Sequence, residues 1–156
     1  MFTEMRRKDR ETTLEQAQQI LTEGDYGVLS MQGTNGYPYS VPLNYVYKND
    51  YIYFHCAKDG YKIDCIDNCN NVCFCVVNKS EVISEKFTTD FSSVIVFGKA
   101  TEAVSEEKLE SLKALIDKYS GGFKPEGYTY IEKGLDAVKV IKISVENIQG
   151  KSRSKK

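Results

Sequence analysis

The segment Tyr51-Ile52-Tyr53-Phe54-His55-Cys56-Ala57-Lys58-Asp59-Gly60-Tyr61-Lys62 places the chain's single histidine, a glycine and a lysine in one short stretch. Gly60 allows close backbone approach to a ligand, and the amides that open a helix at Tyr61 have no intrahelical acceptor. Such amides favour an anion, and Lys62 adds a full positive charge; a phosphate uses both. Gly-x-Lys is a common pattern, however, and spacing alone favours an ordinary strand-to-helix turn with an exposed lysine. His55 has two chemical uses, hydrogen bonding to a cofactor or substrate and proton relay near neutral pH. Its plain alternative is a strand histidine satisfied by a carbonyl. With no second histidine, a hydrolytic triad is disfavoured. Just upstream, Tyr39-Ser40-Val41-Pro42-Leu43-Asn44-Tyr45-Val46-Tyr47 offers a flat apolar strand. A phosphorylated ring cofactor lying along this hairpin is the reading these residues suggest.

The five cysteines are candidate metal ligands by type. Cys65 and Cys69 share a face if the helix persists, Cys73 and Cys75 share a strand face, and Cys56 follows His55. None of these is the paired Cys-x-x-Cys of a zinc ribbon, and cysteine is a common buried residue. No metal site is assigned. An odd cysteine count fits a reducing compartment better than a disulfide framework.

The elements that must position these residues follow from periodicity and punctuation. Thr12 and Glu15 have capping-box spacing ahead of Leu14, Ala17, Ile20 and Leu21, and Gly24 closes that helix. A strand over 26–31, the turn Gly33-Thr34-Asn35-Gly36 and a strand over 37–47 form a hairpin. Pro38 and Pro42 remove ladder donors, so part of that strand lies at an edge or faces a ligand. Strand 51–56, a short helix over 61–68, a buried strand over 72–77 and a long strand over 92–104 follow. Ser105 is expected to cap a helix running to about Lys118. A short helical turn then precedes the last strand, 137–145. Six strands joined mainly by hairpins imply a mainly β chain, a closed or partly closed antiparallel barrel.

The chain has 156 residues, 41% of them hydrophobic, and a net charge of −1. That fits one domain over 1–150 followed by a basic flexible tail over 151–156. The charge balance gives no reason to expect nucleic acid. No apolar run is long enough to cross a bilayer, and the first residues lack a secretory signal's apolar stretch. A cytoplasmic protein without membrane association is expected.

Several blocks together resemble a known family. These are Met5-Arg6-Arg7-Lys8-Asp9-Arg10-Glu11, Tyr26-Gly27-Val28-Leu29-Ser30, Pro38 through Tyr45, Tyr53-Phe54-His55-Cys56-Ala57 with Gly60 and Lys62, Val72-Cys73-Phe74, and Ile148-Gln149-Gly150-Lys151. In order and spacing they are similar to the nitroimidazole-resistance-like branch of the pyridoxamine 5′-phosphate oxidase-like flavoproteins. The resemblance implies a six-stranded antiparallel split β-barrel and a homodimer with FMN at the subunit interface, FAD being the alternative. It implies that Ser40, Val41, Pro42, Leu43 and Asn44 run along the flavin ring. Phe54, His55, Cys56, Ala57, Gly60 and Lys62 would hold the ribityl chain and phosphate, and Ser93 would approach the flavin of the other subunit.

By the same resemblance, electrons pass from a reduced donor such as NAD(P)H to a small acceptor, nitroaromatics among them. His55 is then the catalytic candidate, orienting the acceptor or supplying a proton. A flavin- or haem-binding sensor without turnover is the alternative. True pyridoxamine phosphate oxidases carry an arginine and a histidine near the C-terminus; this chain has Lys151-Ser152-Arg153 there and no histidine. The histidine-bearing C-terminal segment of the haem-degrading branch is also missing. Neither of those specific activities is implied.

Overall fold

Thr13 opens the first helix, α1 (Leu14–Glu23), in a computed structural model that describes residues 2–153. The Thr13 hydroxyl accepts from the Gln16 amide at 3.3 Å, and the Gln16 side chain accepts from the Thr13 amide at 3.0 Å. The reciprocal cap expected for Thr12 and Glu15 therefore lies one residue later. The Thr12 amide is committed elsewhere, donating to the Gly150 carbonyl at 3.0 Å. Ala17, Ile20 and Leu21 are the buried stripe of α1.

The sheet has seven antiparallel strands rather than the six expected: β1 (Gly27–Gln32), β2 (Pro38–Leu43), β3 (Val46–Lys48), β4 (Tyr51–Ala57), β5 (Asn71–Ile83), β6 (Thr88–Ala103) and β7 (Val138–Arg153). Their order is β2-β1-β5-β6-β7-β4-β3, a split-barrel arrangement with β2 and β3 outermost. The extra strand arises because the expected run over 37–47 is broken at Asn44 and Tyr45. Both residues turn their donors out of the ladder: the Asn44 side chain donates to the Asp25 carbonyl at 3.1 Å, and the Tyr45 amide donates to the Tyr119 hydroxyl at 3.1 Å. Gly36, at φ 85°, makes the β1–β2 turn, and β2 is an edge strand as its two prolines require.

The two longest strands bend around the core at irregularities. Pairing of β5 with β6 slips between Val77 and Lys79, and pairing of β6 with β7 slips between Phe97 and Gly98. At Gly98 a Cβ would lie 2.2 Å from the Ser144 carbonyl oxygen, so only glycine fits that crossing. β7 continues to Arg153, with Lys151 opposite Ser93, Ser152 opposite Ser92 and Arg153 opposite Phe91. Those three residues, expected in a flexible tail, are strand residues; Ser154 to Lys156 lie outside the described part.

The main core fills the barrel with Leu29, Ile52, Phe54, Phe74, Val76 and Ile143, and α1 packs against it. A second core lies outside the barrel. There α3 (Ser105–Tyr119) and α4 (Lys124–Gly134) bury Leu112, Leu115 and Ile131 against Tyr53, Ala103 and Val140. Each such aliphatic side chain contributes about 1.5–3 kcal/mol when fully buried. Ser105 makes no side-chain cap for α3; Val104 holds the cap position and Ser105 takes φ 54°. The short turn expected before the last strand is the full helix α4. Among the described residues no helix is long and apolar enough to cross a membrane.

Candidate functional site

The turn after β4 leads into α2 (Tyr61–Asn68), the helix expected there. Gly60 precedes it at φ 125°, a conformation that favours glycine, and nothing lies within 4 Å of where its Cβ would be. The Ile63 and Asp64 amides bond back to the Gly60 carbonyl at 2.9 and 3.1 Å. The amides of Tyr61 and Lys62 open the helix with no acceptor inside it. The Lys62 ammonium lies 5.7 Å from the centre of the buried Phe54 ring and has no carboxylate partner among the described residues. Its field lowers the pKa of His55 and partly opposes the burial that raises the Cys56 thiol.

An aromatic contact joins this loop to β2. The Tyr39 and Tyr61 rings meet edge to face at 4.8 Å, which sets the opening of α2 beside the edge strand. Along β2, Tyr39, Val41 and Leu43 turn toward the barrel core, while Ser40, Pro42 and, just past the strand, Asn44 are exposed. Ser40 is 2.8 Å from the Ser30 hydroxyl on β1. Asn44, expected to face a ring, spends its side-chain donor on the Asp25 carbonyl.

Alternation along β4 separates the remaining expected residues. Phe54 and Cys56 belong to the barrel core, whereas His55 projects from the opposite face toward α3 and α4. Burial first, and Lys62 second, lower the pKa of His55 below its ordinary value, which favours the neutral imidazole. It makes no hydrogen bond among the described residues. Ala57 ends the strand, exposed. Ser93 lies on β6, opposite Val77 and Lys151, with β5 and β1 between it and β2. The structure thus brings Phe54, Gly60 and Lys62 alongside β2, and holds His55 and Ser93 apart from that cluster within one chain.

Two polar clusters escape the sequence reading because their members are far apart along it. The Glu107 carboxylate accepts from the Tyr53 hydroxyl at 3.0 Å and from the Lys142 ammonium at 2.9 Å. Burial, and then Glu107, push the Tyr53 phenol up to about 12. The Lys118 ammonium donates to the carbonyls of Gly24 at 2.7 Å and Tyr45 at 3.1 Å and sits 3.9 Å over the Tyr45 ring. Burial lowers its pKa to about 8. The last turn of α3 thereby pins the break between β2 and β3, fixing where the edge strand ends. All five cysteines are free, and among the described residues no three metal-ligating side chains converge.

The loop's chemistry suits a flavin phosphate: a glycine with open space, two amides without helical acceptors and a lysine without a carboxylate. No curated protein matches the chain. Among solved structures, a candidate 5-nitroimidazole antibiotic resistance protein from Bacteroides thetaiotaomicron is 25% identical, with 89% of this chain and 83% of that one covered at a TM-score of 0.73. A FAD- and haem-binding protein from Mycobacterium smegmatis shares the fold at 16% identity, covering 94% and 74% of the two chains with a TM-score of 0.81. A FAD-binding protein from Mesorhizobium loti does so at 21% identity, covering 93% and 98% with a TM-score of 0.63. The sequence model of the pyridoxamine 5′-phosphate oxidase family matches residues 13–152, so the chain belongs to that family.

Proposed function

We propose that this chain is a flavin-dependent oxidoreductase that holds FMN at the opening of α2, with FAD able to use the same phosphate contact. The observation that carries this reading is the Gly60–Lys62 turn abutting β2 through Tyr39 and Tyr61. The Tyr61 and Lys62 amides and the Lys62 ammonium would hold the phosphate, and the β2 edge from Ser40 to Asn44 would flank the ring. When bound, the flavin supplies electron transfer between a reduced donor such as NAD(P)H and a small acceptor, nitroaromatics among them. His55 faces α3 and α4 rather than β2, so it would orient an acceptor or move a proton only where the acceptor reaches the flavin from that side. Family membership and the FAD-binding neighbours of the same fold support flavin as the cofactor.

The reading includes a homodimer. Across the outer face of the sheet, Pro42, Val28, Cys75 and Ile95 form one cross-strand row, with Val77 nearby, and this apolar row is left partly exposed by a single chain. A second copy covering it would also bring a partner's Ser93 toward the flavin.

Lys62→Ala tests the anchor. Loss of a charge-assisted contact should weaken flavin binding roughly 10- to 100-fold with little change in folding. Wild-type occupancy in purified Lys62→Ala would remove the assignment. Mass analysis of the molecule released on denaturation separates FMN from FAD. Anaerobic NADH or NADPH then separates enzyme from carrier: bleaching of the yellow band at a catalytic rate is expected, and no bleaching with either donor leaves a binding protein.

A further inference from the structure

His55 stands at the rim of a cavity of about 180 Å³ between β4, β7 and the α3–α4 pair. The cavity's walls are Leu112, Leu115 and Ile116 of α3, Ile131 of α4, and Val138 where β7 begins. No carboxylate, ammonium or guanidinium lines it, and the lining residues with polar side chains are His55, at the exposed rim, and Tyr130, itself largely exposed. Neither makes a hydrogen bond among the described residues.

We propose that this cavity binds a neutral single-ring phenol, its ring among the α3 and α4 aliphatic side chains and its hydroxyl on His55. Volume sets the size: an apolar protein cavity of about 150 Å³ accommodates benzene, so about 180 Å³ takes one ring and a small substituent. The lining sets the charge, because a carboxylate or ammonium would be stripped of water with no partner. The imidazole sets the functional group. A phenolic hydroxyl both donates and accepts, so it satisfies His55 in either neutral tautomer, whereas a group that only accepts serves one. Access is from the rim, where His55, Tyr130 and Ala137 are exposed, so a ligand enters without parting α4 from α3. Asp117 ties those two helices together through Tyr128 and Lys124.

This inference goes beyond the flavin reading and does not rest on it, since His55 is the only residue the two share. Calorimetric titration of the purified protein with 4-methylphenol is the test, with toluene as the ligand of equal shape lacking the hydroxyl. One-to-one binding of 4-methylphenol is expected, about tenfold tighter than toluene and about tenfold weaker in His55→Ala. Ala137→Phe places a ring at the exposed rim, where folding should be unaffected, and is expected to abolish binding. Absence of binding, equal affinity for toluene, or binding that survives Ala137→Phe would each overturn the proposal. Flavin content read on the same samples keeps the two ideas separate: colourless protein that still binds 4-methylphenol sinks the flavin reading alone.

Discussion

As the chain's only histidine, His55 gives one imidazole signal whose titration can be followed by proton NMR without assignment. Burial and the nearby Lys62 charge both disfavour its protonated form, so its midpoint is expected below the ordinary 6.5. The unfolded chain then takes up the proton first on acidification. Stability is lost as the pH falls from 6.5 through the folded midpoint, and is indifferent to this group above 6.5. In Lys62→Ala the midpoint should rise; a wild-type midpoint at or above 6.5, or no response to Lys62→Ala, contradicts the geometry. At this scale the sequence was readable where chemistry is local. Gly60 and Lys62 are neighbours along the chain, and the helix they open begins at Tyr61 as expected. The direction of His55 was not readable, because which face of β4 looks into the barrel depends on β7, α3 and α4.

The break between β2 and β3 shows how one element is shaped by another distant in sequence. The Tyr119 hydroxyl accepts from the Tyr45 amide at 3.1 Å and has the Asp25 and Tyr45 carbonyls within donating reach at 2.7 and 3.0 Å. Tyr119→Phe should therefore destabilise the fold by about 1–3 kcal/mol through an orphaned backbone amide, read as a shift in the urea midpoint at constant slope. A shift under about 0.5 kcal/mol would mean that water takes over the hydroxyl's work. Nothing near Tyr45 in sequence announces this contact, which explains why a continuous strand over 37–47 was the natural expectation. β5 and β6 ran past their expected ends for a related reason. Their outer halves pair with each other over polar residues such as Lys79–Ser92 and Glu81–Asp90, so no apolar alternation marks them.

For the molecule as a whole, the exposed row through Val28, Cys75 and Ile95 predicts association. Ile95 projects from the outer face, so Ile95→Asp should leave the core intact and give a monomer in sizing that binds flavin poorly. A dimer that survives Ile95→Asp, or flavin travelling with the monomer peak, counts against the interface. The overall strand plan was accessible from the sequence because hairpin turns and apolar alternation are local signals. So was the apolar face of α3 with Leu109, Leu112, Leu115 and Ile116. The α4 half of the second core was not, since α4 buries only Ile131 and carries a weak stripe. The run of β7 to Arg153 has a practical corollary. Cutting the chain after Gly150 would bare the amides and carbonyls of Phe91 to Ser93, an open template for strand addition by another chain. A truncated variant should therefore be prone to clumping for reasons unrelated to its chemistry.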